Sequence, residues 1–278
     1  MTHPWMPTSP CGPGCLPQRP SRVAAPRVAL RLGRALCVLV GGIGIAVVIA
    51  VLPGPARRRL LREWFRALLR AFGVRLVVRG EHGAGGALVV SNHVSWLDVV
   101  AMQAVCPMRL LAKTEVRTWP VIGPLAGRAG TLYIDRDRLA TLPDAVRTIA
   151  GALRGGAVVG AFPEGTTWCG RSSGAYRPAV FQAAVDAGAP VRPMALRFHT
   201  ADGEPTTAAA FVGEATLLES VLAVARFRGL VIELSLLPEL DAARITDRRE
   251  LARLAETSVA DATTASTPPA PVAEPIAA

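Results

Sequence analysis

Ala87-Leu88-Val89-Val90-Ser91-Asn92-His93-Val94-Ser95-Trp96-Leu97-Asp98 is the stretch that decides how this chain folds. Its first five residues are an apolar run without polar alternation, which predicts a strand buried on both faces. Ser95 stands ahead of Leu97, Val99, Val100 and Met102, the start signal of a helix. His93 therefore falls at a strand end, and Asp98 about one turn into the helix. Folding that turn back brings a carboxylate to an imidazole, which fixes the tautomer that a general base needs.

Similar runs recur along the chain. Strands are expected over residues 74–78, 87–91, 109–112, 131–134, 157–162, 191–198 and 230–236, and helices over 96–105, 138–153, 175–187 and 217–226. The alternation predicts an α/β domain over 74–256, a largely parallel sheet flanked by helices. Ligands of such sheets gather at the carboxyl ends of strands. There His93 meets a second segment of interest, Phe162-Pro163-Glu164-Gly165-Thr166.

Ahead of the domain, residues 1–34 are rich in proline, glycine and arginine and are expected to be a disordered basic tail. Residues 35–56 carry no charge and 36–52 are almost continuously apolar, which predicts a membrane anchor. Over 57–73, Leu60, Leu61, Trp64, Phe65, Leu68, Leu69 and Phe72 repeat at helical spacing, with Arg58, Arg62, Arg66 and Arg70 on another side. An amphipathic helix lying in the membrane interface is expected, with a core-packing helix as its alternative. Arginines on both sides of the anchor leave its orientation unread. Residues 257–278, rich in alanine, threonine and proline, are expected to be a second disordered tail.

The net charge is +10, and Lys113 is the only lysine among thirty-one basic residues. No nucleic-acid-binding signature accompanies this charge, so no nucleic acid partner is expected, and anionic lipid suits it better. Five cysteines, an odd number scattered through the chain, do not form a disulfide framework, and a reducing compartment is expected. Cys11 and Cys15 have only His3 nearby, so no metal site is expected there.

Four blocks in order resemble the glycerolipid acyltransferase family. They are His93-x4-Asp98, Gly130-Thr131-Leu132-Tyr133-Ile134-Asp135-Arg136, Phe162-Pro163-Glu164-Gly165-Thr166 and Val191-Arg192-Pro193-Met194-Ala195-Leu196. The first alone is weak; four in order on compatible elements are specific. The resemblance implies a membrane enzyme, its catalytic domain on the cytoplasmic side, moving a fatty acyl group from acyl-CoA or acyl carrier protein to the free hydroxyl of a lysophospholipid. The acceptor expected is 1-acylglycerol-3-phosphate and the product phosphatidic acid. In that mechanism His93 takes the hydroxyl proton, Asp98 orients it, and no acyl-enzyme forms. Coenzyme A or the carrier protein is substrate, so no resident cofactor and no metal are expected.

The third block, Glu164, Gly165 and Thr166, is implied to bind the acceptor. Arg136 is the candidate for its phosphate, because a guanidinium matches phosphate oxygens in a fork. Lys113, surviving where arginine is favoured, is a candidate for the donor phosphate or the developing oxyanion. The chain departs from the family at one place: Thr167 follows the Glu-Gly-Thr triplet where many members have arginine, and Arg171 comes later. Arg171 is expected to take over that role. If it does not, the acceptor is another lysolipid, such as a lyso-aminolipid. A non-catalytic membrane lipid-binding protein of the same fold is the reading from another class.

Overall fold

The computed structural model describes residues 7–18, 20–49, 51–81, 83–119, 122–135 and 138–264. Two helices lead, α1 (Ala25–Val48) and α2 (Gly54–Phe72). The first half of the sheet follows as β1 (Arg75–Arg79), β2 (Ala87–Ser91), α3 (Trp96–Val105), β3 (Arg109–Lys113), α4 (Ile122–Arg128) and β4 (Leu132–Ile134). The second half is α5 (Leu142–Arg154), β5 (Val158–Ala161), α6 (Ala179–Ala187), β6 (Val191–His199), α7 (Leu217–Arg226), β7 (Val231–Leu236) and α8 (Arg248–Thr264).

The seven strands form one sheet in the order β1-β7-β6-β2-β5-β3-β4. Every neighbouring pair is parallel except β6 with β7. The α/β expectation holds, with expected and observed strand ends agreeing within two residues. The continuous apolar run at 87–90 is explained by its place. β2 lies between β5 and β6, its residues alternate between the two faces, and helices cover both. Leu88 and Val90 pack in a core with Ile149, Val159 and Phe181, while Val89 points to the opposite one with Leu97, Met102 and Ile232.

The flanking segments differ from expectation in four places. Residues 25–34, expected within the disordered tail, are the first turns of α1. Arg31 explains this, because its guanidinium donates to the terminal carbonyls of α7, Ala225 O at 3.0 Å and Phe227 O at 2.7 Å. Further upstream, Cys11 is buried and the Thr207 hydroxyl donates to Cys15 O at 2.7 Å, so residues 7–18 include a segment packed on the domain. The anchor, expected over 35–56, belongs to a helix that closes at Val48, and α2 begins on the far side of Pro53.

The third difference is α2. Leu68, Leu69 and Phe72 are buried, Phe72 meets Trp96 edge-on at 5.4 Å, and Arg66 Nε donates to Ala104 O at the end of α3. The core-packing alternative describes this part of the helix, since its period serves a protein core as well as a bilayer. The outward apolar face belongs to α1, where Leu36, Val40, Ile43 and Val47 form an exposed stripe. Trp64 joins the two helices, its indole N–H donating to Val38 O at 2.8 Å in a notch left by Gly42. Among the described residues, α1 alone is long and apolar enough to cross a membrane.

The fourth is α8. Residues 257–264, expected in a disordered tail, continue a helix whose Leu251, Ala252, Ala255 and Val259 are buried; the rest of that tail lies outside the described residues. Alanine, common in disordered segments, is also the best helix former, and the i, i+4, i+8 spacing of these residues makes one apolar face.

Candidate active site

The site is built where β2 and β5 end. Val90 pairs with Ala161 in parallel register, so the residues after each strand emerge together at one edge. Asn92 extends β2 by side chain rather than backbone. Its Oδ1 accepts from Leu196 N and its Nδ2 donates to Leu196 O, both at 2.9 Å. The turn that follows is held at each peptide. His93 O accepts from Trp168 N at 2.7 Å, Val94 O from Phe211 N at 2.8 Å, and His93 N donates to Glu164 Oε2 at 2.7 Å.

Asp98 is fully buried and works through one oxygen. Its Oδ2 accepts from Val94 N at 2.6 Å and Ser95 N at 2.8 Å, and it faces His93 Nδ1 at 2.9 Å. Ser95 Oγ accepts in return from Leu97 N, which completes a capping box at the start of α3. Capping and orientation thus share one oxygen, so Asp98 cannot turn away from His93 without uncapping the helix. The Nδ1 proton lies on the Asp98 side, and Nε2 is left as the basic nitrogen. Phe162 stacks on the imidazole, with centroids 3.9 Å apart and planes 12° from parallel, and fixes its plane.

Glu164 is buried and both of its oxygens are engaged, Oε2 by His93 N and Oε1 by Gly174 N at 3.1 Å. Burial pushes its carboxyl up to about 8, against the two N–H donors that lower it, and the nearby carboxylates of Asp98 and Glu256 add to the rise. Glu164 therefore braces the turn that carries His93, a role beyond the acceptor binding expected of its block.

A cleft opens beside this turn. Asn92, His93 and Glu164 form its floor, Trp168, Gly170 and Arg171 one wall, and Glu256, Val259 and Thr263 of α8 the other. Of the site residues expected from sequence, His93, Glu164 and Arg171 line it and Asp98 stands behind His93. Gly165 turns the chain with φ +78° and Thr166 follows it, neither on the cleft wall. Lys113 is exposed at the end of β3, two strands from β2, away from the wall. Arg136 lies outside the described residues.

Sequence reasoning missed Tyr176 and the α8 wall. The Tyr176 hydroxyl and the Trp168 indole N–H are buried without a hydrogen-bond partner among the described residues, and both residues line the cleft. Gly170-Arg171-Ser172-Ser173-Gly174 spells the Gly-x-Ser-x-Gly letters of a serine nucleophile. Here it is an irregular loop with exposed Ser172, not the strand-to-helix elbow that activates such a serine.

Comparison with known proteins gives a matching family model, similar relatives and a similar fold. A family model described as Acyltransferase matches residues 58–197. A lyso-ornithine lipid O-acyltransferase from Pseudomonas aeruginosa is 35% identical over 244 residues, covering 84% of this chain and 92% of the relative. A 1-acyl-sn-glycerol-3-phosphate acyltransferase from Neisseria meningitidis is also 35% identical, over 209 residues, 73% of this chain and 80% of the relative. The crystal structure of the 1-acyl-sn-glycerophosphate acyltransferase from Thermotoga maritima superposes with a TM-score of 0.67 at 16% identity, covering 85% of this chain and 93% of that one. At that identity the last likeness speaks for the fold.

Proposed function

The chain belongs to the acyltransferase family, and on that premise we propose that it transfers a fatty acyl group from an acyl thioester to the free hydroxyl of 1-acylglycerol-3-phosphate at the membrane surface. The observation that carries the mechanism is the His93–Asp98 pair, with Nδ1 held at 2.9 Å by a buried carboxylate and Nε2 left to the cleft. Nε2 takes the proton of the acceptor hydroxyl as its oxygen bonds to the thioester carbonyl carbon. The tetrahedral adduct then expels the thiolate, and the imidazolium returns the proton to it. The products are an ester and a free thiol.

Arg171 on the cleft wall supplies a cation for an anionic headgroup. The donor is acyl-CoA or acyl carrier protein, both of which suit a chain of net charge +10. The exposed stripe of α1 holds the domain at the cytoplasmic face of the cell membrane, where an amphiphilic acceptor reaches the cleft without leaving the lipid.

A second acceptor, a lyso-ornithine lipid, is favoured by Thr167 standing where many members of the family carry a phosphate-binding arginine. Thiol release from acyl-CoA, followed on the purified chain with a panel of lysolipids, separates the two. The proposal requires the highest kcat/KM with 1-acylglycerol-3-phosphate. A higher value with the lyso-ornithine lipid replaces the acceptor and leaves the chemistry standing. Wild-type turnover in His93→Ala sinks the mechanism itself.

A further inference from the structure

Behind the cleft wall lies a group of side chains that the acyl transfer does not use. Cys11, Cys15 and Cys169 bring their sulfur atoms within 4.8 Å of one another, Cys11 and Cys169 buried and Cys15 half-buried. The sequence shows only Cys11-x3-Cys15 on a proline- and glycine-rich segment, so its third member was hidden. A short 3-10 turn, Pro13–Cys15, folds the pair together, and Cys15 N donates to Gly12 O at 2.9 Å. Thr207 ties the turn to the domain through Cys15 O.

The loop after Glu164 delivers Cys169 in a form that suits a thiolate. Gly170 takes φ +85°, a left-handed conformation that glycine accepts readily, and the N–H groups of Arg171 and Ser172 turn back onto the Cys169 sulfur. Cys169 N in turn donates to Cys11 Sγ at 3.3 Å. Backbone N–H groups aimed at sulfur are what thiolate ligands of a metal receive from their surroundings.

We propose that Cys11, Cys15 and Cys169 bind one zinc ion as three thiolates, stapling the N-terminal segment to the loop that forms the cleft wall. The two-to-four-residue spacing of zinc-binding cysteine pairs includes Cys11-x3-Cys15. A tetrahedral site with Zn–S of about 2.3 Å sets its sulfurs about 3.8 Å apart, a contraction of no more than about 1 Å from the positions here. A non-protein donor completes the coordination. Three convergent thiols favour a metal over a disulfide, which would use two and strand the third.

The staple bears on the enzyme through its neighbour. Trp168, adjacent to Cys169, is bonded by its backbone N–H to His93 O and lines the cleft, and Pro7 of the same N-terminal segment lies against Gly165. Zinc here acts on the shape of the wall and takes no part in bond making.

The test uses the full chain purified in detergent with a reductant, its metal content measured by mass spectrometry. About one zinc per chain is expected, falling at least tenfold in Cys11→Ser and Cys169→Ser and unchanged in Cys37→Ser. Cobalt exchanged into the wild type is expected to give a thiolate-to-cobalt charge-transfer band. If a serine variant fails to fold, alkylation of the wild type still decides. Chelation should make the three thiols at least tenfold more reactive to iodoacetamide, and added zinc should restore their protection. Zinc retained in the variants, cluster thiols that alkylate equally with and without zinc, or a disulfide within the cluster in place of metal would each overturn the proposal.

Discussion

Strand β2 and the second half of helix α1 are both apolar stretches, one short and one long, and the fold gives them opposite surroundings. Ala87 to Val90 are 0% exposed, whereas Leu36, Val40, Ile43 and Val47 are 55–70% exposed. A hydrophobic run says that water is avoided and leaves open what replaces it. For β2 the replacement is two protein layers, and the chain beyond its end is fixed well enough to hold a base. For α1 one side meets Trp64 and the other is bare, a contiguous exposed apolar surface.

The difference is broken most severely at the end of β2. Asp98→Asn should lower kcat on the order of a thousandfold, through loss of the tautomer control that a carboxylate exerts on its histidine. Asp98→Ala should add a loss of stability of roughly 2–4 kcal/mol, because two backbone N–H groups and the His93 ring lose their buried acceptor. Steady-state kinetics with thermal unfolding separates the effects; a kcat within tenfold of wild type for Asp98→Asn removes the orienting role.

A paired truncation sharpens the contrast. Leu88→Ala in the strand should cost roughly 2–5 kcal/mol by leaving a cavity that two packed layers cannot fill. Leu36→Ala in the helix should stay within about 0.5 kcal/mol in detergent, since that side chain touches no core. Equal shifts in unfolding temperature would show that α1 is covered in solution.

Near the end of β2 the buried region carries a pH-dependent cost. Glu164 has its pKa raised from 4.5 to about 8 on folding, so the folded chain holds its proton while the unfolded chain releases it. Stability from this group is therefore fullest below pH 4.5 and declines as pH rises towards 8. Glu164→Gln should flatten that slope in unfolding temperatures measured between pH 5 and 8; an unchanged slope assigns it to other groups.

The smallest effect belongs to the bare face. Replacing Leu36, Val40, Ile43 and Val47 together by serine should reduce binding to anionic vesicles about tenfold or more, each side chain giving up part of roughly 1.5–3 kcal/mol of apolar transfer. Turnover of a short-chain, water-soluble acceptor should hold. Unchanged sedimentation with vesicles would mean that another surface meets the lipid.

The sequence resolved what is local. A strand, a helix start and the five-residue spacing of His93 and Asp98 all lie within twelve positions, and backbone geometry converts that spacing into contact. What stayed hidden depends on partners far along the chain. Cys169 reaches Cys11 across 158 residues, Arg31 reaches the end of α7 across almost 200, and no periodicity encodes either meeting. The side of α2 was ambiguous for another reason, because Leu68, Leu69 and Phe72 make the same stripe for a core as for a bilayer. Residues 257–264 of α8 read as a disordered tail because alanine and threonine fill a helix end and a low-complexity segment alike.

Helix α8 also imposes an order of events. It is made after every strand, yet Val259 and Thr263 form a wall of the cleft that His93 floors. A chain still emerging from the ribosome can bring Asp98 to His93 before the cleft has both walls, because the second forms only when α8 docks.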